Sequence, residues 1–437
     1  MGRILTGITL NVLLLEIGWL GALLHFVGAM LIVLGFRRLY SENRWFRLGL
    51  VLGMIRLALI SANIVLNTTV LYLENVRQLL QWGSTAAMLL LLFCFWRGME
   101  KEQCRAGLPP GCASAALLSI WYGGMVLLAL SQGTGRFPAL LMFLFYVLIL
   151  FRLYRQGRNL QQAGGLLPAL PAKIPDWLLS VLAGVILLSG CGAGYLLGGS
   201  CRMDWKEVRA GEHEEIEGTE EELLRLGFPE EILGDISAAD IEACKGAESL
   251  QVSSTDCPAG WNGRSRNLRF TAIAVKLSGE KEQRRIFHHF RWLETPGFYG
   301  TEAIQIWTAG GSALENNSRQ ISGRLLYDAE GITYEASYRS LGGEICGSDD
   351  SIWKLGTQTN IWAGFSLPET GENQRGYIAY TTENKAAEDM PMESWIDYTY
   401  QRSWKQYPAV TALEYSLPGE KTADPVFRMV QDSITVR

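Results

Sequence analysis

A chain of 437 residues with 48% hydrophobic content and a net charge of −5 is long enough for two or three domains and too apolar to stay disordered. The averages hide a division: Met1–Cys201 carries 15 Lys and Arg against 6 Asp and Glu, a net of +9, and the rest carries 24 against 38, a net of −14. The acidic second half offers nucleic acid no basic face, so no such partner is expected.

Six apolar runs come first, at roughly 12–36, 47–73, 78–96, 113–131, 137–153 and 177–199. Each approaches the ~20 residues with which a helix crosses a ~30 Å hydrocarbon layer. The first follows Arg3 as a signal peptide would, but its core is too long and runs into Arg37 and Arg38 without a small-residue cleavage site. It reads as a retained span. Short loops rich in Lys and Arg stay cytoplasmic. Loops 37–47, 97–112 and 152–176 hold eleven basic residues, whereas the alternate loops hold Arg77 and Arg136, or three with Arg3. This bias predicts a plasma-membrane protein with an extracytoplasmic N-terminus, and six spans then leave the C-terminal half extracytoplasmic too.

Ionisable groups inside lipid are expensive and suggest function. Arg56 falls near the midplane of the second span, with Asn63 and Asn67 on the same helical face. The first span runs the other way, so His25 matches the depth of Arg56, and Glu16 that of the asparagines. An intramembrane polar seam of Glu16, His25, Arg56, Asn63 and Asn67 is predicted, either as interhelical glue or as a path for a small solute or ion. In the sixth span, Leu188-Ser189-Gly190-Cys191 has the look of a lipobox. It lies after five spans, and Gly190, Gly194 and Gly198 make a small-residue stripe, so helix packing is the expected role.

The segment 201–249 changes character. In "EEIEGTEEELLRLGFPEEILGDISAADIEACKGA" Thr219 reads as an N-cap with Glu222 three residues on, Gly227 as a stop, Pro229 as a first helical residue, and Ser237 with Asp240 as a second capping box. Leu223, Leu224, Leu226, Phe228, Ile232, Leu233, Ile236 and Ile241 would share a small core. The acids read as a solvated face, since they lack the alternating spacing of a calcium loop. The Leu-Gly-Phe-Pro turn is similar to the Gly-Phe turn of ubiquitin-associated three-helix domains. The segment also resembles a leucine-rich helical stretch that recurs in multi-pass membrane proteins of Gram-positive (Firmicutes) gut bacteria. That resemblance extends to the general layout and implies no activity.

From about Leu250 onward short alternating runs bounded by Gly, Pro, Asn and Asp predict seven or more antiparallel strands. A hairpin turns through Asp328-Ala329-Glu330-Gly331. "DPVFRMVQDSITV" reads as a terminal helix capped by Asp424, with Pro425 at its first position. His288 and His289 are adjacent, so on a strand they face opposite ways and cannot share a metal. No metalloprotease, nucleophile-elbow, phosphate-loop or paired Cys-x-x-Cys motif occurs, so no catalytic residue, metal or cofactor is assigned. Trp292, Trp307, Trp362 and Trp395 are candidates for an aromatic binding surface, against the commoner role of strand aromatics in a core. Cys201, Cys244, Cys257 and Cys346 could form external disulfides, Cys244 with Cys257 stapling the helical segment to the strands.

The expected architecture is therefore a membrane α-helical bundle of six spans (1–200), an acidic juxtamembrane helical segment (201–249), and an antiparallel β-sandwich-like external domain (250–437). The expected function is non-enzymatic: a receptor, sensor or accessory subunit that contacts the lipid bilayer and a protein partner. A transporter using the polar seam and a cell-wall-binding or wall-modifying protein are the alternatives.

Overall fold

The structure is a computed structural model describing residues 1–12, 18–39, 43–70, 74–109, 112–131, 136–164, 174–208, 216–259, 266–279, 283–309, 312–313, 321–346, 358–384, 391–417 and 426–436. The chain divides into two compact units, Met1–Leu196 and Leu197–Arg437.

The first unit holds α1 (Gly2–Val12), α2 (Gly18–Leu39), α3 (Arg44–Leu66), α4 (Glu74–Arg105), α5 (Ala113–Leu130), α6 (Arg136–Gln162) and α7 (Asp176–Gly198). Among the described residues, six of these, α2 to α7, are long and apolar enough to cross a membrane. Leu127, Leu148, Phe151, Ile186 and Leu196 point outward, as lipid-facing side chains do, while Ile32, Phe36, Phe46, Leu91 and Phe95 fill the interior. The protein is a multi-pass membrane protein.

One helix was not expected. The apolar run at the N-terminus breaks between Val12 and Gly18, and α1 folds back antiparallel on α2, with Ile4 beside Gly35 and Asn11 beside Gly28. The glycines permit this close approach, because a Cβ at Gly28 would lie 2.8 Å from the Gly7 carbonyl oxygen. Met1 packs on Gly157 of α6, and Arg3 reaches Asp176 at 2.6 Å, as do Arg37 at 3.5 Å and Arg38 at 3.1 Å. Asn43 bonds Gly98 and Glu102 at the same end. Met1 thus shares one end of the bundle with the three basic loops, which corrects the expectation that the N-terminus lies opposite them.

The small-residue stripe of α7 is a packing face. Gly190 lies against Val65, and Gly194 against Thr68 and Thr69, at the end of α3.

The second unit contains β1 (Lys206–Glu207), α8 (Glu217–Leu226), α9 (Glu230–Leu233), α10 (Ala238–Glu242), β2 (Ala247–Pro258), β3 (Arg266–Leu277), β4 (Gln283–Trp292), β5 (Glu302–Ala309), β6 (Ser312–Ala313), β7 (Ser322–Ala329), β8 (Ile332–Ala336), β9 (Ser340–Cys346), β10 (Gln358–Phe365), β11 (Glu372–Asn384), β12 (Met392–Gln401), α11 (Ala412–Ser416) and β13 (Phe427–Val436). An eight-stranded sheet runs β1-β8-β7-β11-β4-β3-β2, with β6 on β11, and a five-stranded sheet runs β13-β12-β5-β10-β9; all pairs are antiparallel. Phe290, Trp292, Ile304, Ile361, Phe365 and Tyr398 lie in the core between the two sheets, so the unit is a β-sandwich. The β7–β8 hairpin turns on Glu330 and Gly331, both at positive φ (54° and 79°), the pairing of a two-residue type I′ turn.

The expected terminal helix is a strand. Phe427–Val436 pairs residue for residue with β12, from Gln401↔Phe427 to Met392↔Val436. Pairing along its full length bonds alternate residues of β13 to β12 and buries Val430, Ile434 and Val436, which outweighs the Asp-Pro start signal. The Asp424 and Pro425 of that signal lie outside the described residues. A helix was missed instead: α11 starts on a full capping box between Thr411 and Glu414.

Helices α8 to α10 cover the outer face of the eight-stranded sheet. Leu223, Phe228, Ile232, Leu233, Ile236 and Ile241 join Ile273, Val275, Phe287 and Tyr377 in one cluster, whereas Leu224 remains exposed. Gly227 ends α8 at φ 99° as expected. Thr219 does not cap α8, which begins at Glu217; its hydroxyl donates to Glu242 at 3.3 Å and ties α8 to α10. Pro229 stands at the N-cap of α9 rather than inside it.

Candidate functional site

Of the expected intramembrane seam, Arg56 is the buried member, at 5% exposure. Its Nη2 donates to Asn11 Oδ1 of α1 at 2.9 Å, and Asn11 Nδ2 donates to Gly7 O of its own helix. Nε and Nη1 of Arg56 are buried with no hydrogen-bond partner among the described residues. His25 Nδ1 lies 2.7 Å from Gly21 O on its own helix, Asn67 caps α3 through its backbone, and Asn63 is half-buried. The side chain of Glu16 lies outside the described residues. Among the described residues the seam's side-chain contact is Asn11–Arg56, and Asn11 was hidden from the sequence reading by the unexpected α1.

The acidic segment is not uniformly solvated, which corrects its reading as a solvated face. Asp235 and Asp240 are buried at 6% and 4% exposure and dock on arginine and histidine side chains that stand outward from the eight-stranded sheet. His289 Nε2 donates to Asp235 at 3.0 Å and Arg375 Nε at 2.7 Å. Arg324 donates to the carbonyl oxygens of Asp235 and Ile236, both at 3.0 Å. Asp240 accepts from Arg285, Ser322, Tyr377 and Ser237. Burial pushes both carboxyls up, but His289 and Arg375 around Asp235, and Ser322, Tyr377 and Arg285 around Asp240, outweigh it and hold both below the usual carboxylate range.

The two histidines point to opposite faces, as strand geometry requires. His289 faces the helical cap, and His288 faces the inter-sheet core, with Nε2 2.6 Å from Ser394 Oγ, which also meets the Tyr380 hydroxyl. Burial lowers the His288 pKa to about 3. The unfolded chain would bind the proton near pH 6.5, so stability is full above that value and falls as pH drops toward 3, by up to ~1.4 kcal/mol per pH unit. Burial raises the Glu302 carboxyl, which accepts from the Tyr398 hydroxyl, so its contribution is lost instead as pH rises above the ordinary carboxylate range. His288→Gln is expected to flatten the thermal stability profile of the full-length protein between pH 6.5 and 3; an unchanged slope would count against this assignment.

Three of the four candidate tryptophans converge. In the five-stranded sheet Ile304, Ile306, Ile361, Ile396 and Tyr398 face the core. The alternating positions therefore put Trp307, Trp395, Trp362, Asn360, Gln305 and Asp397 on the outer face. Trp395 lies directly across from Trp307, with rings parallel to within 8° and centroids 6.1 Å apart. Register sets Asn360 beside Trp307 and Trp362 beside Gln305. Both Trp307 and Trp395 are half-buried, while Trp362 and Asn360 are 5% and 7% exposed. Trp362 Nε1 and Asn360 Oδ1 are buried with no hydrogen-bond partner among the described residues. Helix α11 lies on the neighbouring stretch of this face, where Leu413 lies over Gly364 and Ala412 packs on Ala303. The fourth residue, Trp292, is a core residue that donates to the Tyr398 hydroxyl at 3.1 Å.

Cys201 and Cys244 hold free thiols, and Cys244 Sγ contacts Asp240 O at 3.4 Å. Burial pushes the Cys244 thiol up to about 12. Cys257 is buried in strand β2, and the side chain of Cys346 lies outside the described residues. Among the described residues no three His, Cys, Asp or Glu side chains group closely enough to hold a metal.

No family model matches the chain, and no curated protein matches it. Two solved structures share parts of its outline. One, described as "AvmM Catalyzes Macrocyclization in Alchivemycin A Biosynthesis", is 10% identical over 43% of this chain and 88% of its own, with a TM-score of 0.20. The other, described as "Pore forming protein", is 8% identical over 43% of this chain and 90% of its own, with a TM-score of 0.19. Likeness this low carries no argument about activity.

Proposed function

We propose that this multi-pass membrane protein is a receptor or accessory subunit whose β-sandwich lies outside the cell and captures a ligand on the outer face of the five-stranded sheet. The observation that carries the reading is the convergence of Trp307, Trp395 and Trp362 with two buried hydrogen-bonding atoms that have no partner among the described residues. Buried polar atoms are normally satisfied, and an aromatic surface that leaves a donor and an acceptor unmet fits an absent ligand. The plasma membrane is the expected site, with Met1 and the basic loops cytoplasmic. Arg3, joined with Arg37 and Arg38 on Asp176, makes the bias twelve basic residues against two, which supports an outward-facing C-terminal domain. The resemblance of the helical segment to Firmicutes membrane proteins agrees with this layout.

A second reading, an anion-conducting or transporting bundle, is favoured by the two nitrogens of Arg56 that have no partner among the described residues. One experiment tests the main orientation. A reporter fused after Arg437 should be active only outside the cytoplasm, and the exposed Cys104 should react with a membrane-impermeant thiol reagent only after permeabilisation. A reporter active in the cytoplasm would overturn the receptor reading.

A further inference from the structure

We infer that the ligand of the tryptophan face is a neutral glycan containing N-acetylhexosamine, an inference that rests on the outward-facing receptor reading above. The first ground is the pair of parallel indoles on adjacent strands, Trp307 and Trp395, with centroids 6.1 Å apart. The face of an indole is electron-rich, and the axial C–H groups of a pyranose ring present a matching apolar, weakly positive face. The two rings are stacked on one another and half-buried, so a sugar ring would lie against an outer face of the stacked pair.

The second ground is the chemistry of the unmet groups. Trp362 Nε1 can only donate, and Asn360 Oδ1 can only accept; both are buried, both lack a partner among the described residues, and they stand two residues apart on one face of β10. An acetamido group offers the complement from its two sides, a carbonyl oxygen for the indole N–H and an N–H for the amide oxygen. A hydroxyl-only sugar supplies this pair less specifically.

The third ground is charge. The outer positions of the four strands β13, β12, β5 and β10 include Glu393 and Asp397 but no Lys or Arg. An anionic polymer, whether nucleic acid or polyphosphate, meets repulsion there. A quaternary ammonium ligand would accept the charge, but it prefers rings that surround it, whereas Trp307 and Trp395 lie parallel.

The test uses the full-length protein in detergent micelles, titrated calorimetrically with the hexamer of N-acetylglucosamine, the hexamer of glucose, and choline. Saturable binding of the acetylated hexamer is expected, with the glucose hexamer weaker. Trp307→Ala and Trp395→Ala should each weaken binding about ten-fold. Asn360→Leu should remove the preference for the acetylated hexamer, while Trp395→Phe should retain most of the affinity. Thermal melts of each variant show whether it is folded. Absence of saturable binding by the wild-type protein, undiminished binding by a folded Trp307→Ala variant, or binding of choline alone would each overturn the proposal. A negative titration beside an externally active C-terminal reporter sinks the glycan ligand only; a cytoplasmic reporter sinks the receptor reading itself.

Discussion

Asp240→Ala is expected to destabilise the β-sandwich unit by about 3–5 kcal/mol, the scale on which removal of one member of a buried ion pair acts. Asp240 joins the helical cap to the eight-stranded sheet: it accepts from Arg285 on β4, Ser322 on β7, Tyr377 on β11 and Ser237 at its own helix start. Arg285 is itself buried, with its side chain 6% exposed, so loss of the carboxylate removes the anion beside a buried cation that keeps its bonds to Thr381 and Ser322 and its contact with the Phe287 ring. Asp240→Asn keeps part of the hydrogen bonding and should cost less. The double variant Asp240→Ala with Arg285→Met should recover stability relative to Asp240→Ala, because the uncompensated charge is removed with its partner. Thermal unfolding in detergent, followed by tryptophan fluorescence, measures all three. If the single and double variants lose stability equally, the charge pair is not what holds the cap.

The same contact carries an acid limit. The folded Asp240 and Asp235 carboxyls titrate below their unfolded values, so their stabilisation is present above about pH 4 and is lost as pH falls through the lowered folded values. His288 acts earlier on the way down, between 6.5 and about 3. The cap is therefore fully engaged near neutral pH.

How much of this was legible in the sequence depends on which interactions are local. The spans were readable because lipid imposes a length and a composition that a single segment must meet alone. Helix α1 was not, because Leu13 to Leu15 continue the apolar run across the break and the return of α1 onto α2 depends on the remote Gly28 and Gly35. The terminal strand was misread because Val426, Val430 and Ile434 are four apart, a spacing that fits one face of a helix and, being even, one face of a strand too. The β12 partner decides between them, and it lies more than 25 residues away. The opposite facing of His288 and His289 followed from strand period alone. Their partners did not: Asp235 and Ser394 come from other elements, and nothing in a run of acids distinguishes the two that are buried from those left in water. For the four candidate tryptophans, composition says nothing of facing; register separates Trp292, which is core, from the three on the outer face.

Within the membrane, the two partners of one hydrogen bond should respond unequally to mutation. Arg56 Nη2 bonds Asn11 Oδ1 at 2.9 Å, and its other two nitrogens are buried without partners among the described residues. Asn11→Leu removes that partner and leaves a guanidinium with no hydrogen bond in the bundle interior, so a loss of about 1–3 kcal/mol is expected. Arg56→Leu removes the charge itself. The asparagine it leaves behind still donates to Gly7 O, so this variant should melt at or above the wild-type temperature. Adding Arg56→Leu to Asn11→Leu should then restore most of what the single Asn11 change loses. Equal losses from both single variants would show that Arg56 is interhelical glue with partners of real worth. The transporter reading predicts a different pattern, in which Arg56→Leu folds normally but abolishes an anion flux that the wild-type protein supports in reconstituted vesicles. The receptor reading predicts no wild-type flux to lose, and a measured flux that vanishes in a folded Arg56→Leu protein would move the function from the sheet face into the bundle.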